Sequence, residues 1–183
     1  QADIMAQTTW TLDPAHSELL FKVKHLMITN VKGEFRSFDA KVVTDGDDFA
    51  TASVTLDIDP SSIFTNSDDR DRHLRSADFF DVENHKQMRF ESTGVTRIDE
   101  GNFRMKGLLT MRGVAKEVVL DVEFGGVNKD PYGNEKAGFS LSGVINRKDW
   151  GLNWNAALET GGVLVSDEVR LSADVQFVRQ TQG

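Results

Sequence analysis

Cysteine is missing from this chain altogether, which excludes disulfides and thiolate metal sites. Proline is scarce, 3 in 183 residues, and no stretch rich in proline, glycine or serine divides the chain, so one domain is expected. The apolar runs fall far short of the ~20 residues that span a bilayer. Blocks of like charge are also missing: 21 Lys and Arg against 29 Asp and Glu leave a net charge of −8, with the two signs interspersed along the sequence. That argues against a nucleic-acid footprint and against electrostatic docking on anionic lipid.

Local signatures of catalysis are missing too. There is no Gly-x-Ser-x-Gly elbow, phosphate loop or dinucleotide fingerprint. The histidines, His16, His25, His73 and His85, show no metal-ligand spacing. Asp68, Asp69 and Asp71 lack the glycine and terminal glutamate of a calcium loop and read as a solvated helix start. No metal site is expected. Gln1 to Ile4 precede Met5 without the charged and apolar regions of a signal peptide. Residues 1–7 are therefore read as an added, flexible tail before a domain over 8–180. The expected location is cytoplasmic, the alternative being a periplasmic form whose signal was removed.

What is present is alternation at period two. Phe139, Leu141, Gly143 and Ile145 make one wholly apolar face opposite Ser140, Ser142, Val144 and Asn146. Arg147 and Asp149 then bring opposite charges beside Trp150, and Gly151 lets the backbone turn. Ser17, Leu19, Phe21, Val23 and His25 share another face. Val31, Gly33 and Phe35 give way to Phe38, Ala40 and Val42 on the other parity, which predicts a bulge near Ser37. Ala52 to Ile58 and Met88 to Ser92 alternate likewise. Phe103 to Met111 and Val114 to Phe124, joined by Arg112-Gly113, form a long hairpin, and Val169 to Phe177 is the last strand. Roughly eight strands suit a barrel wide enough for one ligand. Between Asp59 and Met88 the pattern fails, and Ser67 to Ser76, with acids early and bases late, predicts a short capped helix over part of the barrel. The connections 125–136 and 153–167 are expected to gate a mouth.

Several of these segments, in their order, resemble the YceI-like, polyisoprenoid-binding family of lipocalin-like barrels. They are Trp10 to Ser17 with Phe21 to His25, Val31 to Phe35, Asp71 to Asp81, Phe90 to Thr93, Leu109 to Val114, and the Asn146-Arg147-Lys148-Asp149-Trp150-Gly151 corner. The resemblance covers roughly residues 8–178. It implies an all-β fold, an extended eight-stranded antiparallel barrel with a short helical insertion, whose tunnel holds an isoprenoid, a quinone-like molecule or another long-chain amphiphile. It implies no covalent chemistry and no cofactor beyond that bound lipid. Carriage, storage and sensing all fit.

The residues expected to meet the ligand are Phe21, Val23, His25, Phe35, Phe38, Ile58, Phe90, Met105, Leu109, Leu120, Phe139, Leu141, Ile145, Asn146, Arg147 and Trp150. Periodicity alone does not separate a packed core from a cavity wall. His25 either bonds a head group or is a core histidine satisfied by a neighbour. Arg147 and Asp149 read first as an ion pair locking the corner, second as a polar clamp with Asn146. Trp150 and Trp154 line the cavity or plug it. His16 is read as a turn residue, His73 and His85 as surface. The expected partner is a long-chain apolar small molecule, with no nucleic acid and no integral membrane segment, and a homodimer stays open. The rival reading is an enzyme acting on a lipid or quinone with His25 as acid or base.

Overall fold

The computed structural model describes residues 6–26, 28–156 and 164–180. Its strands are β1 (Gln7–Leu12), β2 (Glu18–His25), β3 (Thr29–Phe35), β4 (Phe38–Asp45), β5 (Asp48–Ile58), β6 (Ile63–Phe64), β7 (Met88–Arg97), β8 (Asn102–Met111), β9 (Val114–Lys129), β10 (Glu135–Asn146) and β11 (Glu168–Arg179). One helix, α1 (Asp68–Arg75), interrupts them, with single 3-10 turns at Pro14–His16, Pro60–Ser62 and Arg147–Trp150. No described helix is long and apolar enough to cross a membrane.

These pieces close into an eight-stranded antiparallel barrel, as expected. Closure works because β1 and β2 act as one interrupted strand along β11: Leu12 faces Phe177, and further along Glu18 faces Asp174 and Lys22 faces Arg170. On the other side β1 pairs with β4 and β2 with β3. The interruption in the first strand lies where Pro14 lacks an N–H to give the ladder. Asp13 caps the turn there by accepting from the Ala15 amide at 3.2 Å. Ser17 mends the gap, its hydroxyl accepting from the Gln176 amide at 3.0 Å. The break between β3 and β4 falls at Arg36-Ser37, where the apolar parity slips.

The hairpin of β8 and β9 turns at Arg112-Gly113, both with positive φ. α1 begins at Ser67, whose hydroxyl accepts from the Arg70 amide, and carries Asp68, Asp69 and Asp71 in its first turn and Arg72, His73 and Arg75 in its last. That order of charge complements the helix dipole.

The connection expected at 125–136 is corrected: β9 runs on to Lys129 and β10 starts at Glu135. The ladder shifts register at Gly138, where Gly126 (φ 106°) takes a conformation open to glycine. This bulge flips the parity after Phe124, which hid the extension. The extension also lies at the end of the barrel away from α1.

Candidate ligand-binding cavity

Inward positions of the barrel leave a cavity of about 560 Å3, within the usual range of roughly 300–1,000 Å3 for ligand sites. Its floor is aromatic. Phe49 packs against Trp10, Phe124 and Phe139 at centroid distances of 5.3, 5.1 and 5.1 Å, and Phe139 meets Phe177 at 6.1 Å. Trp10, only 1% exposed, donates its indole N–H to the Thr44 hydroxyl at 3.3 Å.

The wall above contains nearly every residue singled out from periodicity: Phe21, Val23, Phe35, Phe38, Ile58, Phe90, Met105, Leu109, Leu120, Phe139, Leu141 and Ile145 all line the cavity. Two rings lie against glycines of the next strand. A Cβ at Gly33 would overlap the Phe21 ring, and one at Gly107 would overlap Phe90.

The mouth is at the opposite end and carries the polar groups, contributed by α1, β2 and the segment after Trp150. Thr65, Asp69, Arg70 and His73 line it. Asp71 is buried beneath them and pins the helix, accepting from the Thr65 amide at 2.9 Å and from its hydroxyl. Arg70 donates to the same hydroxyl through Nε at 2.7 Å. His73, expected on the surface, is instead half-buried at the rim. Its ring stands edge-on to Trp154 (4.6 Å) and Phe79 (5.1 Å), and Nε2 is 2.8 Å from Asp78. A sequence signal existed: Asp69 and His73, and Arg70 and Leu74, are four residues apart and share one helical face.

His25 lies at this rim too, half-buried, rather than deep in the lumen. Its backbone bridges to Val165, and among the described residues no carboxylate pairs with its ring. His16 is the turn residue expected, with Nδ1 3.0 Å from Asp13. Asp13 also holds Lys136 at 2.7 Å. The Lys136 ammonium and His16 depress the Asp13 carboxyl below its ordinary value against the cost of burial, and Asp13 raises Lys136.

The charged corner differs from its sequence reading. Asp149 is exposed and forms no ion pair among the described residues. Arg147 is buried and instead spends its guanidinium on backbone carbonyls: Nε donates to Ser166 (2.9 Å), Nη1 to Leu152 and to Trp154 (2.8 Å), and Nη2 to Val165 (3.4 Å). Its nearest carboxylate is Asp167, at 3.9 Å. Burial pulls the Arg147 pKa down, and Asp167 partly offsets this. The ion pair of the first reading is thus replaced by bonds to carbonyls, which no residue pattern announces. Arg147 reaches the cavity wall from this position. Asn146 and Trp150 do not. Asn146 is exposed and caps the turn by accepting from the Lys148 amide at 3.0 Å. Trp150 is core, 2% exposed, with its N–H on the Leu109 carbonyl at 2.8 Å. Of the two tryptophans, Trp154 lines the cavity. The expected gate at 153–167 lies partly outside the described residues. Its described ends, 153–156 and 164–167, border the mouth.

The model of the YceI-like domain matches residues 10–177, from the tryptophan of the floor to the phenylalanine that closes β11 on β1. The chain belongs to the YceI-like family. UPF0312 proteins of Staphylococcus aureus and Staphylococcus epidermidis are each 44% identical to it, across 93% of this chain and 97% of theirs. The solved YceI protein of Campylobacter jejuni is 34% identical over 87% of this chain and 90% of its own, with a TM-score of 0.75. Two more distant structures share the fold: BcnA of Burkholderia cenocepacia (22% identity, 90% and 98% covered, TM-score 0.78) and a polyisoprenoid binding domain from Saccharophagus degradans (16%, 93% and 98%, 0.64).

Proposed function

We propose that this YceI-like barrel binds one long-chain amphiphile, a polyisoprenoid, an isoprenoid quinone or a similar lipid, and holds it without covalent change for carriage, storage or sensing. The observation that carries the reading is the segregation inside the cavity, with aliphatic and aromatic side chains along wall and floor and polar ones gathered at one rim. A chain with one polar end fits that layout in a single orientation, tail to Phe49 and head to α1.

Burial of the tail supplies the affinity. At about 25 cal/mol per Å2, a tail hiding several hundred Å2 gains on the order of 10 kcal/mol before ordering costs. Head-group bonds to Arg70, His73 or His25 are the smaller contribution. The name of the Saccharophagus degradans domain, which shares this fold, agrees with a ligand of this class. An enzyme would need a base oriented by a partner and a nucleophile or second acid within reach. Around His25 the described residues supply no such pair.

The test is mass spectrometry of organic extracts from the purified protein, repeated with Ala173→Trp. Ala173 is a small buried residue of the cavity wall, facing Leu141 and Leu19 on the neighbouring strands. The wild type should release a long-chain lipid, and the variant should retain less than about a tenth as much. A folded Ala173→Trp protein with undiminished lipid would overturn the lumen as the site. Conversion of an added lipid, lost in His25→Ala with binding intact, would replace the carrier by an enzyme.

A further inference from the structure

The hairpin of β2 and β3 stands at the rim of the cavity, with Val23, His25 and Val31 on its inner side. Its tip is apolar where hairpin tips favour asparagine or glycine. Leu26 is 38% and Ile28 78% exposed, and Leu26 holds φ at 54°, a left-handed conformation that a leucine adopts at a cost. Single exposed aliphatic residues are ordinary. Two at one hairpin tip, beside the entrance to the cavity, are not.

The outer face of the same hairpin is basic, and the ladder makes it so. Arg170 of β11 faces Lys22 of β2, and Lys22 faces Lys32 of β3. Three cations distant in sequence thus form one row across three strands, with Lys24 one step nearer the tip. All four are exposed, and none joins an ion pair among the described residues. Like charges directly opposite each other destabilise a sheet, so the row costs stability and returns nothing within the fold. Of the acids nearby, Glu34 is taken by Arg36 at 2.9 Å and Glu168 lies two residues before Arg170 on its strand. Farther from the tip the sign reverses, where Asp174 faces Glu18. In a chain of net charge −8 this polarity turns the mouth toward a negative surface. Read along the sequence alone, interspersed charge argued against such docking, because the sequence does not display the register.

We propose that the β2–β3 hairpin docks the barrel mouth on an anionic lipid bilayer, Leu26 and Ile28 entering the interface while Lys22, Lys32, Arg170 and Lys24 meet the head groups. The proposal rests on the reading of the lumen as a lipid site, since docking there gives the cavity access to its ligand. Apolar insertion and electrostatic attraction reinforce each other in such anchors.

The test is flotation of the whole chain with vesicles of phosphatidylcholine alone or with about one third phosphatidylglycerol, at low and high salt. The wild type should bind only the anionic vesicles and release at high salt. Lys22→Gln/Lys32→Gln should weaken binding about thirtyfold, each lysine near the surface being worth roughly a factor of five. Leu26→Ser/Ile28→Ser should weaken it more than about tenfold. None of these four residues lines the cavity, so each variant should melt no lower than the wild type, the double lysine variant slightly higher, and still bind a fluorescent polyene fatty acid in free solution. Equal vesicle binding by all three proteins, or none by the wild type, overturns the docking inference while retained fatty-acid binding keeps the lumen reading. Vesicle binding without fatty-acid binding upholds the docking surface and sinks the lumen reading. A dimer that Leu26→Ser/Ile28→Ser makes monomeric, without vesicle binding, would assign the tip to a second copy of the chain and overturn the proposal.

Discussion

The two ends of the barrel are closed by different physics. At the floor, the rings of Trp10, Phe49, Phe124, Phe139 and Phe177 interlock, and their contribution grows with buried area and has no hinge. At the mouth, a single guanidinium holds the carbonyls of Leu152, Trp154, Val165 and Ser166, and a single carboxylate, Asp71, holds α1. Directional bonds to a few backbone atoms can be released without disturbing the strands, whereas an aromatic plug comes apart only with the sheet around it. The floor belongs to global stability and the mouth to local opening.

That contrast breaks most visibly at Trp10. Trp10→Ala should cost about 3–5 kcal/mol and lower the melting temperature by about 10 °C, with hydrogen exchange accelerated evenly through β1, β4 and β11. A melt within a degree or two of wild type would show that the floor is not where stability resides. Arg147→Met ranks next, at about 3 kcal/mol, because it strands carbonyls that face one buried cation. Its signature is local: the amides of Lys24, Leu26 and Ser166, which pair β2 with the segment after the corner, should exchange faster than those between β9 and β10. Uniform acceleration would erase the distinction between the ends.

The smallest effect is at the Asp13–Lys136 pair. The folded Asp13 carboxyl titrates below its ordinary value, so its contribution is present above the usual carboxylate range near pH 4 and lost as the pH falls through the depressed folded value. Lys136 is shifted up, so its contribution is present below its ordinary value and lost as the pH rises through the raised one. Asp13→Asn should therefore lower the melting temperature by about a degree or two near neutrality, and its melting temperature should fall less than that of wild type on acidification below about pH 4. Parallel curves for the two proteins would remove Asp13 as a contributor.

Strand parity was legible because each strand buries one face: from Phe21 through Ile145 the inward set could be read from alternation. A barrel was expected, but the way it closes was not legible, since nothing local in Asp13-Pro14 says that the chain on both sides will lie along β11. The polar mouth was half legible. Ser67 and the charge order of α1 were plain, but His73 looks like any surface histidine until Trp154, far along the chain, arrives beside it. Arg147 was assigned to its neighbour in sequence, Asp149, when its partners are main-chain oxygens and carry no residue signature. Trp150 and Asn146 adjoin a lumen-facing strand, and the 3-10 turn after Asn146 sends the tryptophan into the core and leaves the asparagine outside.

The glycines beneath Phe21 and Phe90 set the bore of the tunnel. Each lacks the Cβ that would overlap its ring, and at Gly107 the Glu91 carbonyl as well, so the ring lies against the wall and the space in front of it stays open. Residues with no side chain of their own thereby help to set the free space inside the barrel. Alanine at Gly33 would therefore narrow the cavity by moving the Phe21 ring alone, whereas at Gly107 it would also strike the Glu91 carbonyl and disturb the ladder itself.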